Sequence, residues 1–363
     1  MSKTPALARL GSSPEEYEKL GISPDRIERR EDGMRTDGTK GDFEWWYFDS
    51  HLADGSKLVI TFYTKDFNKA GGTLAPFADI VLDRPDGSTV KAQTAVFTGP
   101  DFSASTDRCD VRIGPNRFEG DLHTYTIHIE TDQLTADVTL TGVVPAWRPR
   151  TGHFLFEDDE HLYFAWLPSV PQGTVVATLE IGEEKVETTG VGYHDHNWGN
   201  VSMMDVINHW YWGRGQAGPY TVIACYLTAE ARYGYEELPI YLLAKDGEIV
   251  ADDNDKVEFT PAETSHDAET GKPVSDLLTY TYTEGTTRDV ITWRRHRTIL
   301  RDRFVDDISG VKHLLAKLVG FDGAYLRFTG ELSVERYEAG LSVDKAADEA
   351  IWELMYFGKN HET

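Results

Sequence analysis

The sequence predicts an all-β protein made of antiparallel barrels or sandwiches. Apolar residues alternate with polar ones in many short segments, and this period of two indicates half-buried strands. Turn sequences separate those segments at Asp54-Gly55, Pro85-Asp86-Gly87 and Asp246-Gly247. With 363 residues, the chain is long enough for about two domains and a large core. Many strands joined by short turns are typical of barrels and sandwiches.

The first 40 residues are polar, and we expect them to form an N-terminal extension with one short helix. Ser13 is predicted as the N-cap of that helix, because Pro14 suits the first helical position and Glu16 completes a capping box. Gly21 is expected to end the helix.

Strands are predicted from residue 42 onward. The clearest alternating segments are 58–63, 125–129, 138–140, 175–181 and 326–334. Two later segments have helical spacing instead and are predicted as helices, 311–320 and 347–355. The β-rich stretches on either side of about residue 200 have similar lengths, which permits two related domains at 41–200 and 201–363.

The charge of the chain excludes some partners. It has 61 acidic and 36 basic residues and a formal net charge of −25. Such an acidic surface repels phosphate groups, so we expect neither a nucleic acid nor an anionic membrane as partner. No apolar run reaches the roughly 18–20 residues of a membrane span. The N-terminal residues lack the apolar region of a signal peptide, and the expected location is the cytoplasm. The sequence does not predict an oligomeric state.

The two cysteines, Cys109 and Cys225, are too few for a disulfide framework or a multi-cysteine zinc module. One disulfide between them is possible. Cys225 lies in the apolar run TVIACYL, however, and this position favours a buried free thiol.

The first cluster of interest is the segment 44–49, at the start of the first long predicted strand. Side chains alternate in a strand, so each face combines one carboxylate with aromatic rings. The two faces are Glu44, Trp46 and Phe48 on one side and Trp45, Tyr47 and Asp49 on the other. A carboxyl group against an aromatic wall has a raised pKa and can donate a proton. Alternatively, the carboxylates pair with arginine or solvent, and the rings belong to the core.

The second cluster is the segment 192–200, where polar and titratable side chains are unusually dense. His194 and His196 share a strand face, and His-x-His is a known metal-ligand spacing. A metal would need a third ligand from elsewhere in the chain. The candidates for that ligand are His153, Glu44 and His209.

The same cluster also fits a metal-free acid–base network, in which Asp195 or a histidine delivers a proton. A third interpretation is a polar plug with satisfied hydrogen bonds that closes a barrel.

The third cluster is the segment 208–214. Trp210 and Trp212 share one strand face, while His209 and Tyr211 share the other. Indole faces stabilise a nearby cation well. The alternative is that both tryptophans are ordinary core residues.

Three motifs over about residues 42–200 resemble the hydroxyneurosporene synthase family. This family includes carotenoid 1,2-hydratase and lipocalin-like proteins, and fungal kievitone hydratase and decalin-forming Diels–Alderases are more distantly similar. The motifs are Glu44-Trp45-Trp46-Tyr47, Tyr163-x-x-Trp166-x-x-x-x-Pro171-x-Gly173 and Gly192-Tyr193-x-Asp195-His196-Asn197-Trp198-Gly199.

The resemblance implies two lipocalin-like antiparallel β-barrels, or a barrel plus a sandwich, with a few short helices and a ligand pocket in or between them. It also implies a small hydrophobic substrate, such as an isoprenoid or polyene, and neither cofactor nor metal. The expected reaction is hydration or cyclisation. A pericyclase and a carrier without catalytic activity remain open, as does a metal enzyme built on the two histidines.

The resemblance assigns roles to particular residues. Asp195 is the expected proton donor, and His194 or His196 would tune or relay its proton. Glu44 and Tyr47 complete the predicted catalytic set, and Asn197 would place a water molecule. The expected substrate-binding residues are Trp45, Trp46, Tyr193, Asn197, Trp198, His209, Trp210 and Trp212.

Overall fold

The computed structural model describes residues 8–66, 72–156, 162–303 and 323–361. These residues form two compact units. The first unit contains the described residues of 10–155 and 162–202. The second unit contains those of 203–361, together with 8–9 and 156.

The first sheet has thirteen strands. They are β1 (Ala8–Leu10), β2 (Phe43–Leu52), β3 (Lys57–Tyr63), β4 (Phe77–Asp83), β5 (Thr89–Gln93), β6 (Phe102–Ala104), β7 (Asp110–Ile113), β8 (Asn116–Gly120), β9 (Thr124–Glu130), β10 (Thr135–Val144), β11 (His153–Phe156), β12 (Leu162–Ile181) and β13 (Glu184–Gly199). The strand order is β5-β4-β3-β2-β13-β12-β10-β9-β8-β7-β6, and β11 pairs with both β1 and β12.

The second sheet has nine strands. They are β14 (Ile207–Ala217), β15 (Tyr220–Ala229), β16 (Glu237–Lys245), β17 (Glu248–Ala251), β18 (Val257–His266), β19 (Pro273–Glu284), β20 (Thr287–Arg303), β21 (Ala324–Glu338) and β22 (Leu341–Tyr356). The strand order is β17-β16-β15-β14-β22-β21-β20-β19-β18.

Helices are few and short in the described residues. They are α1 (Pro14–Leu20) and α2 (Met203–Val206), with 3-10 turns at Arg29–Asp32, Gly99–Asp101, Ala231–Tyr233 and Asn254–Lys256. Helix α1 has the predicted capping box between Ser13 and Glu16, and it ends at Gly21 in the left-handed conformation. No helix in the described part of the chain is long and apolar enough to cross a bilayer.

The predicted fold class is confirmed. The strands pair antiparallel, and each sheet curls into a half-barrel around its own hydrophobic core. The predicted alternation explains the packing, because Leu58, Ile60 and Phe62 of β3 are all fully buried in the first core. At the predicted turn, Asp246 and Gly247 have φ of 51° and 86°. Two successive positive φ angles are what a tight two-residue hairpin turn requires.

The helix predicted at 347–355 is wrong, because this segment lies in strand β22. Its true period is two. Trp352, Leu354 and Tyr356 are buried in the second core, while Ile351 and Glu353 are half-buried on the other face. Strands β14 and β21 pair with β22 on its two sides, and this pairing overrides the helical preference of its alanine, glutamate and leucine residues. The other predicted late helix, 311–320, lies outside the described residues.

Both cysteines are free and buried, as predicted for Cys225. Burial raises the pKa of the Cys109 thiol well above its usual value. That thiol lies 3.6 Å from the carbonyl oxygen of Phe118. Neither cysteine takes part in a disulfide.

Candidate active site

Strands β13 and β2 together carry most of the predicted site residues, and β13 lies between β2 and β12 in the middle of the first sheet. In the pairing register, His194 lies opposite Phe48, Asp195 opposite Tyr47 and His196 opposite Trp46. Directly opposed residues in an antiparallel pair share a face. The predicted two-faced arrangement of both segments is therefore confirmed.

The two faces of β13 carry different chemistry. One face, here called the core face, carries His194, His196 and Trp198. The two histidines contact rings of the first hydrophobic core, and Trp198 packs with Ala165 and Leu167 in a smaller buried cluster. The other, here called the acid face, carries Tyr193, Asp195 and Asn197 together with Tyr47 and Trp45 of β2 and Trp166 of β12.

Asp195 lies at the centre of the acid face and is only 6% exposed. Its Oδ2 accepts hydrogen bonds from the Trp166 indole Nε1 and the Tyr193 hydroxyl, each at 2.8 Å. Its Oδ1 accepts a hydrogen bond from Asn197 Nδ2 at 2.7 Å. Burial raises the pKa of Asp195 to about 6, although these three donors and the charge of His194 oppose the increase. A carboxyl group with this pKa can both release and take up a proton near neutral pH.

Aromatic rings surround this carboxyl on the acid face. The rings of Tyr47 and Tyr193 are 6.3 Å apart in an edge arrangement, and the Tyr47 hydroxyl donates to Asp49 at 3.0 Å. Trp45 is half-buried and stacks on Phe43 at 5.5 Å. The acid face therefore combines one weak acid with several π faces, which is a surface suited to a developing cation.

Replacing Tyr193 by phenylalanine is expected to raise the pKa of Asp195 further. In the wild type the Tyr193 hydroxyl stabilises the ionised carboxylate by a hydrogen bond, and the variant lacks that bond. One neutral hydrogen bond is worth about 1 kcal/mol, or roughly 0.7 pKa unit. The measurement is a titration of Asp195 by carboxyl-carbon NMR. The control is Tyr337→Phe, which changes a tyrosine on β21 in the other unit. A pKa that stays at the wild-type value would contradict the role of Tyr193.

The core face holds His196 between a carboxylate and two indole rings. His196 Nε2 donates to Glu44 Oε1 at 2.7 Å. The imidazole stacks on Trp46 at 4.7 Å and lies tilted against Trp198 at 4.6 Å. Glu44 is completely buried and also accepts from the backbone N–H groups of Arg35 and Thr36. Because these donors hold the Glu44 side chain in place, Glu44 is better suited to position His196 than to act as the predicted proton donor.

His194 and Asp32 form a buried ion pair on the core face. The carbonyl oxygen of Tyr47 lies 2.8 Å from His194 Nδ1 and can only accept, so Nδ1 carries a proton. The other nitrogen, Nε2, is 3.3 Å from Asp32 Oδ2, and two lone pairs would face each other there without a second proton. A second proton therefore lies between His194 Nε2 and Asp32 Oδ2. Burial alone would raise the pKa of Asp32, but the charges of His194 and His196 and a hydrogen bond from Tyr125 outweigh burial and lower it.

The sequence analysis missed Asp32, which is 1% exposed and belongs to the segment described there as a polar extension. A 3-10 turn at Arg29–Asp32 positions it. Glu31 stabilises this turn by accepting from the Glu28 backbone N–H at 2.9 Å, and its other oxygen binds the buried Arg148 guanidinium at 2.8 Å. No periodic pattern marks Asp32, because the turn is too short to show one.

The predicted relay from His194 or His196 to Asp195 does not match this geometry. Alternation along β13 places both rings on the opposite side of the sheet from the Asp195 carboxyl. Their hydrogen bonds in the described structure go to Tyr47, Asp32 and Glu44. His194 can influence Asp195 electrostatically, and both histidines can do so through the position of the strand.

Three buried side chains could hold a metal ion, Asp32, Cys109 and His194, since one ligand atom of each lies within 4.8 Å of the others. This set differs from the predicted His194–His196 pair, because His196 binds Glu44 instead. His153, one predicted third ligand, has its Nδ1 2.9 Å from the Thr151 carbonyl oxygen, and burial lowers its pKa to about 4.

The remaining predicted binding residues belong to the second unit. His209 is buried and stacks on Tyr356 at 4.5 Å, its Nδ1 lies 2.9 Å from Asn208 Oδ1, and burial lowers its pKa to about 3. This placement fits a structural role. Trp210 and Trp212 share the opposite face of β14, as predicted, and both are half-buried.

Comparison with known proteins gives matches along most of the chain. A family model described as Diels-Alderase-like matches residues 38–273. The chain is 26% identical over 197 residues to the quinolone epoxide rearrangement protein asqO of Emericella nidulans, covering 50% of this chain and 53% of that protein. It is also 26% identical over 208 residues to the hydroxyneurosporene dehydrogenase of Chlorobaculum tepidum, covering 48% and 53%. The chain thus spans about half the length of the curated relatives it matches.

Among solved structures, the crystal structure of CghA matches with a TM-score of 0.61. The match covers 91% of this chain and 95% of that chain, at 15% sequence identity. At this identity the likeness concerns the fold, and it extends beyond the region that the family model matches.

Proposed function

Because the chain belongs to the Diels-Alderase-like family, we propose that it is a cofactor-free enzyme of small-molecule biosynthesis with Asp195 as its general acid. The observation that carries this proposal is the acid face of β13. There a buried carboxyl with a pKa of about 6 is held by an indole, a phenol and an amide beside half-buried aromatic rings. The proposed substrate is a small hydrophobic isoprenoid or polyene.

In the proposed hydration, the acid form of Asp195 transfers its proton to one carbon of an alkene. The π electrons form the new C–H bond and leave a tertiary carbocation and a carboxylate. Water then adds through oxygen to the cation and returns one proton to the carboxylate, which restores the acid. The rings of Tyr47 and Trp45 would stabilise the cation, and Asn197, already bonded to Asp195, would place the water.

A cyclisation is the second candidate, and the family description favours it. A pericyclic reaction needs a folded substrate and a hydrogen-bond donor more than a strong acid. In that case the protonated Asp195 carboxyl donates a hydrogen bond to a substrate carbonyl, and the proton stays on the carboxyl. The aromatic residues of the acid face would hold the polyene in its reactive conformation.

A substrate screen in heavy-oxygen water tests the proposal. Purified protein is incubated with linear isoprenoids and with polyenes that carry a carbonyl, and products are read by mass spectrometry. Hydration adds one labelled water, whereas cyclisation gives a new isomer of unchanged mass. Either product should form more slowly above about pH 6, because the acid form of Asp195 is lost there.

The controls separate catalysis from binding. Glu187→Gln changes an exposed carboxylate on the same strand and should leave product formation unchanged. If every compound returns unchanged while one co-elutes with the protein, the chain is a carrier and the proposal is overturned.

A further inference from the structure

The second sheet carries its own partly buried carboxyl group, Glu353 of β22, which the proposed function does not use. Its neighbours along the strand, Trp352 and Leu354, point into the second core. Glu353 points to the opposite face and is half-buried. This face is therefore not the interior of the half-barrel.

Two neutral donors hold the Glu353 carboxyl from the neighbouring strands. The Trp210 indole Nε1 on β14 lies 3.2 Å from Oε1, and the Tyr325 hydroxyl on β21 lies 2.6 Å from Oε2. Neither donor carries a positive charge. Burial raises the pKa of Glu353, although both hydrogen bonds and the charge of nearby Arg327 oppose the increase.

The same chemistry surrounds Asp195 in the first unit. There too a desolvated carboxyl accepts from one indole N–H and one phenol O–H, with donors from Trp166 and Tyr193. The connectivity differs, because Tyr193 lies on the same strand as its carboxyl, whereas Tyr325 lies on the neighbouring strand. Asp195 and Glu353 thus accept from the same kinds of donor, although the donors occupy different strand positions.

The surroundings of Glu353 combine apolar surface with polar groups. Trp212 and Arg327 lie directly opposite Glu353 on the two flanking strands, and both are half-buried. Cys225 lies opposite Trp212 on the next strand and is 6% exposed. Across the strands, this face therefore runs from buried Cys225 to half-buried Trp212, then to Glu353 and to half-buried Arg327. A small apolar molecule with one oxygen atom at its end would suit these neighbouring side chains.

We propose that Glu353, Trp210 and Tyr325 form a second binding site, which takes the terminal hydroxyl or carbonyl oxygen of a small hydrophobic ligand. The class of ligand rests on the proposed function, but the site does not depend on catalysis at Asp195. A hydroxyl would donate to the carboxylate, and a carbonyl would accept from the carboxylic acid or from the Tyr325 hydroxyl. Glu353 and Tyr325 lie outside the residues that the family model matches.

Equilibrium binding of two fluorescent polyenes tests this site. Retinol has one terminal hydroxyl, and diphenylhexatriene has no oxygen. Glu353→Leu should weaken retinol binding about tenfold and leave diphenylhexatriene binding within about twofold, because one hydrogen bond to a charged group is lost. The readout is the ratio of the two dissociation constants for each variant, with folding checked by circular dichroism.

Two further variants make the test decisive. Glu349→Leu changes an exposed carboxylate on the same face of β22 and should leave the ratio unchanged. Tyr325→Phe removes one hydroxyl with little loss of volume and should raise the ratio about threefold, even if Glu353→Leu fails to fold. Equal weakening of both polyenes, an unchanged ratio in both site variants, or no binding of retinol by the wild type would each overturn the proposal.

The outcome is separable from that of the proposed function. A changed ratio with no turnover of any polyene by the wild type would keep the second site and reject the enzyme. Turnover that depends on Asp195, with an unchanged binding ratio, would keep the enzyme and reject the second site.

Discussion

Asp195→Asn is expected to lower product formation by about 10²- to 10⁴-fold, the range that a positioned general acid usually contributes. Asparagine keeps the shape of aspartate and can still accept from Trp166 and Tyr193 through its oxygen. Its amide group would face Asn197, which can turn its own oxygen toward it. The variant should therefore fold while lacking a proton to transfer.

The same variant should be more stable than the wild type at alkaline pH. The pKa of Asp195 is about 6 in the folded protein, above its ordinary value of 3.8. The folded state therefore binds more protons than the unfolded state between these values, and wild-type stability falls as the pH rises through them. The loss reaches about 3 kcal/mol above pH 6, and asparagine avoids it.

Thermal unfolding at pH 4 and pH 8 measures this effect alongside turnover. The Tm of Asp195→Asn should exceed that of the wild type at pH 8, and the difference should shrink toward pH 4. Glu187→Gln, on the same strand, should match the wild type in both assays. Wild-type turnover in the asparagine variant would remove Asp195 from the mechanism.

Asp32→Asn is expected to destabilise the protein by about 3 kcal/mol at neutral pH, because it removes one partner of a buried ion pair. His194 loses the carboxylate partner of its Nε2, and the neutral amide of the variant cannot replace that charge. The hydrogen bond from Tyr125 survives, since asparagine still presents an oxygen. The free energy of unfolding from urea denaturation measures the loss.

The pH dependence identifies the cause of this loss. The folded pKa of Asp32 is lowered, so its ionised form contributes stability that is present above the ordinary pKa of 3.8 and is lost as the pH falls through the folded value. The difference between variant and wild type should therefore shrink in acid. Asp25→Asn, an exposed change in the same N-terminal segment, serves as the control. An unchanged unfolding free energy in Asp32→Asn would show that the pair contributes nothing.

Local patterns in the sequence predicted most of the fold and several residues that the structure places together on β13 and β2. The alternation at 58–63 and the paired faces of 44–49 follow from strand geometry alone, and the structure confirms both. The three motifs predicted the family resemblance, which the comparisons confirm. The segment 192–200 was identified because dense polar residues inside a strand are unusual, and the resemblance made Asp195 the expected proton donor.

The residues that the sequence analysis missed depend on contacts between distant parts of the chain. Asp32 meets His194 across 162 positions, and Glu353 meets Trp210 across 143. No local pattern reports such a contact. The helix predicted at 347–355 was wrong for a related reason. Two flanking strands, rather than the segment's own residues, decide its conformation.

The interleaving of two clusters on β13 has a consequence for engineering. Successive residues from Tyr193 to Trp198 alternate between the acid face and the core face. In a library that randomises this stretch, substitutions at His194, His196 and Trp198 should appear as insoluble protein. Conservative substitutions at Tyr193, Asp195 and Asn197, which are buried but lie on the acid face, should appear as soluble protein with altered chemistry. New reactions are therefore best sought by varying every second codon and leaving the codons between them untouched.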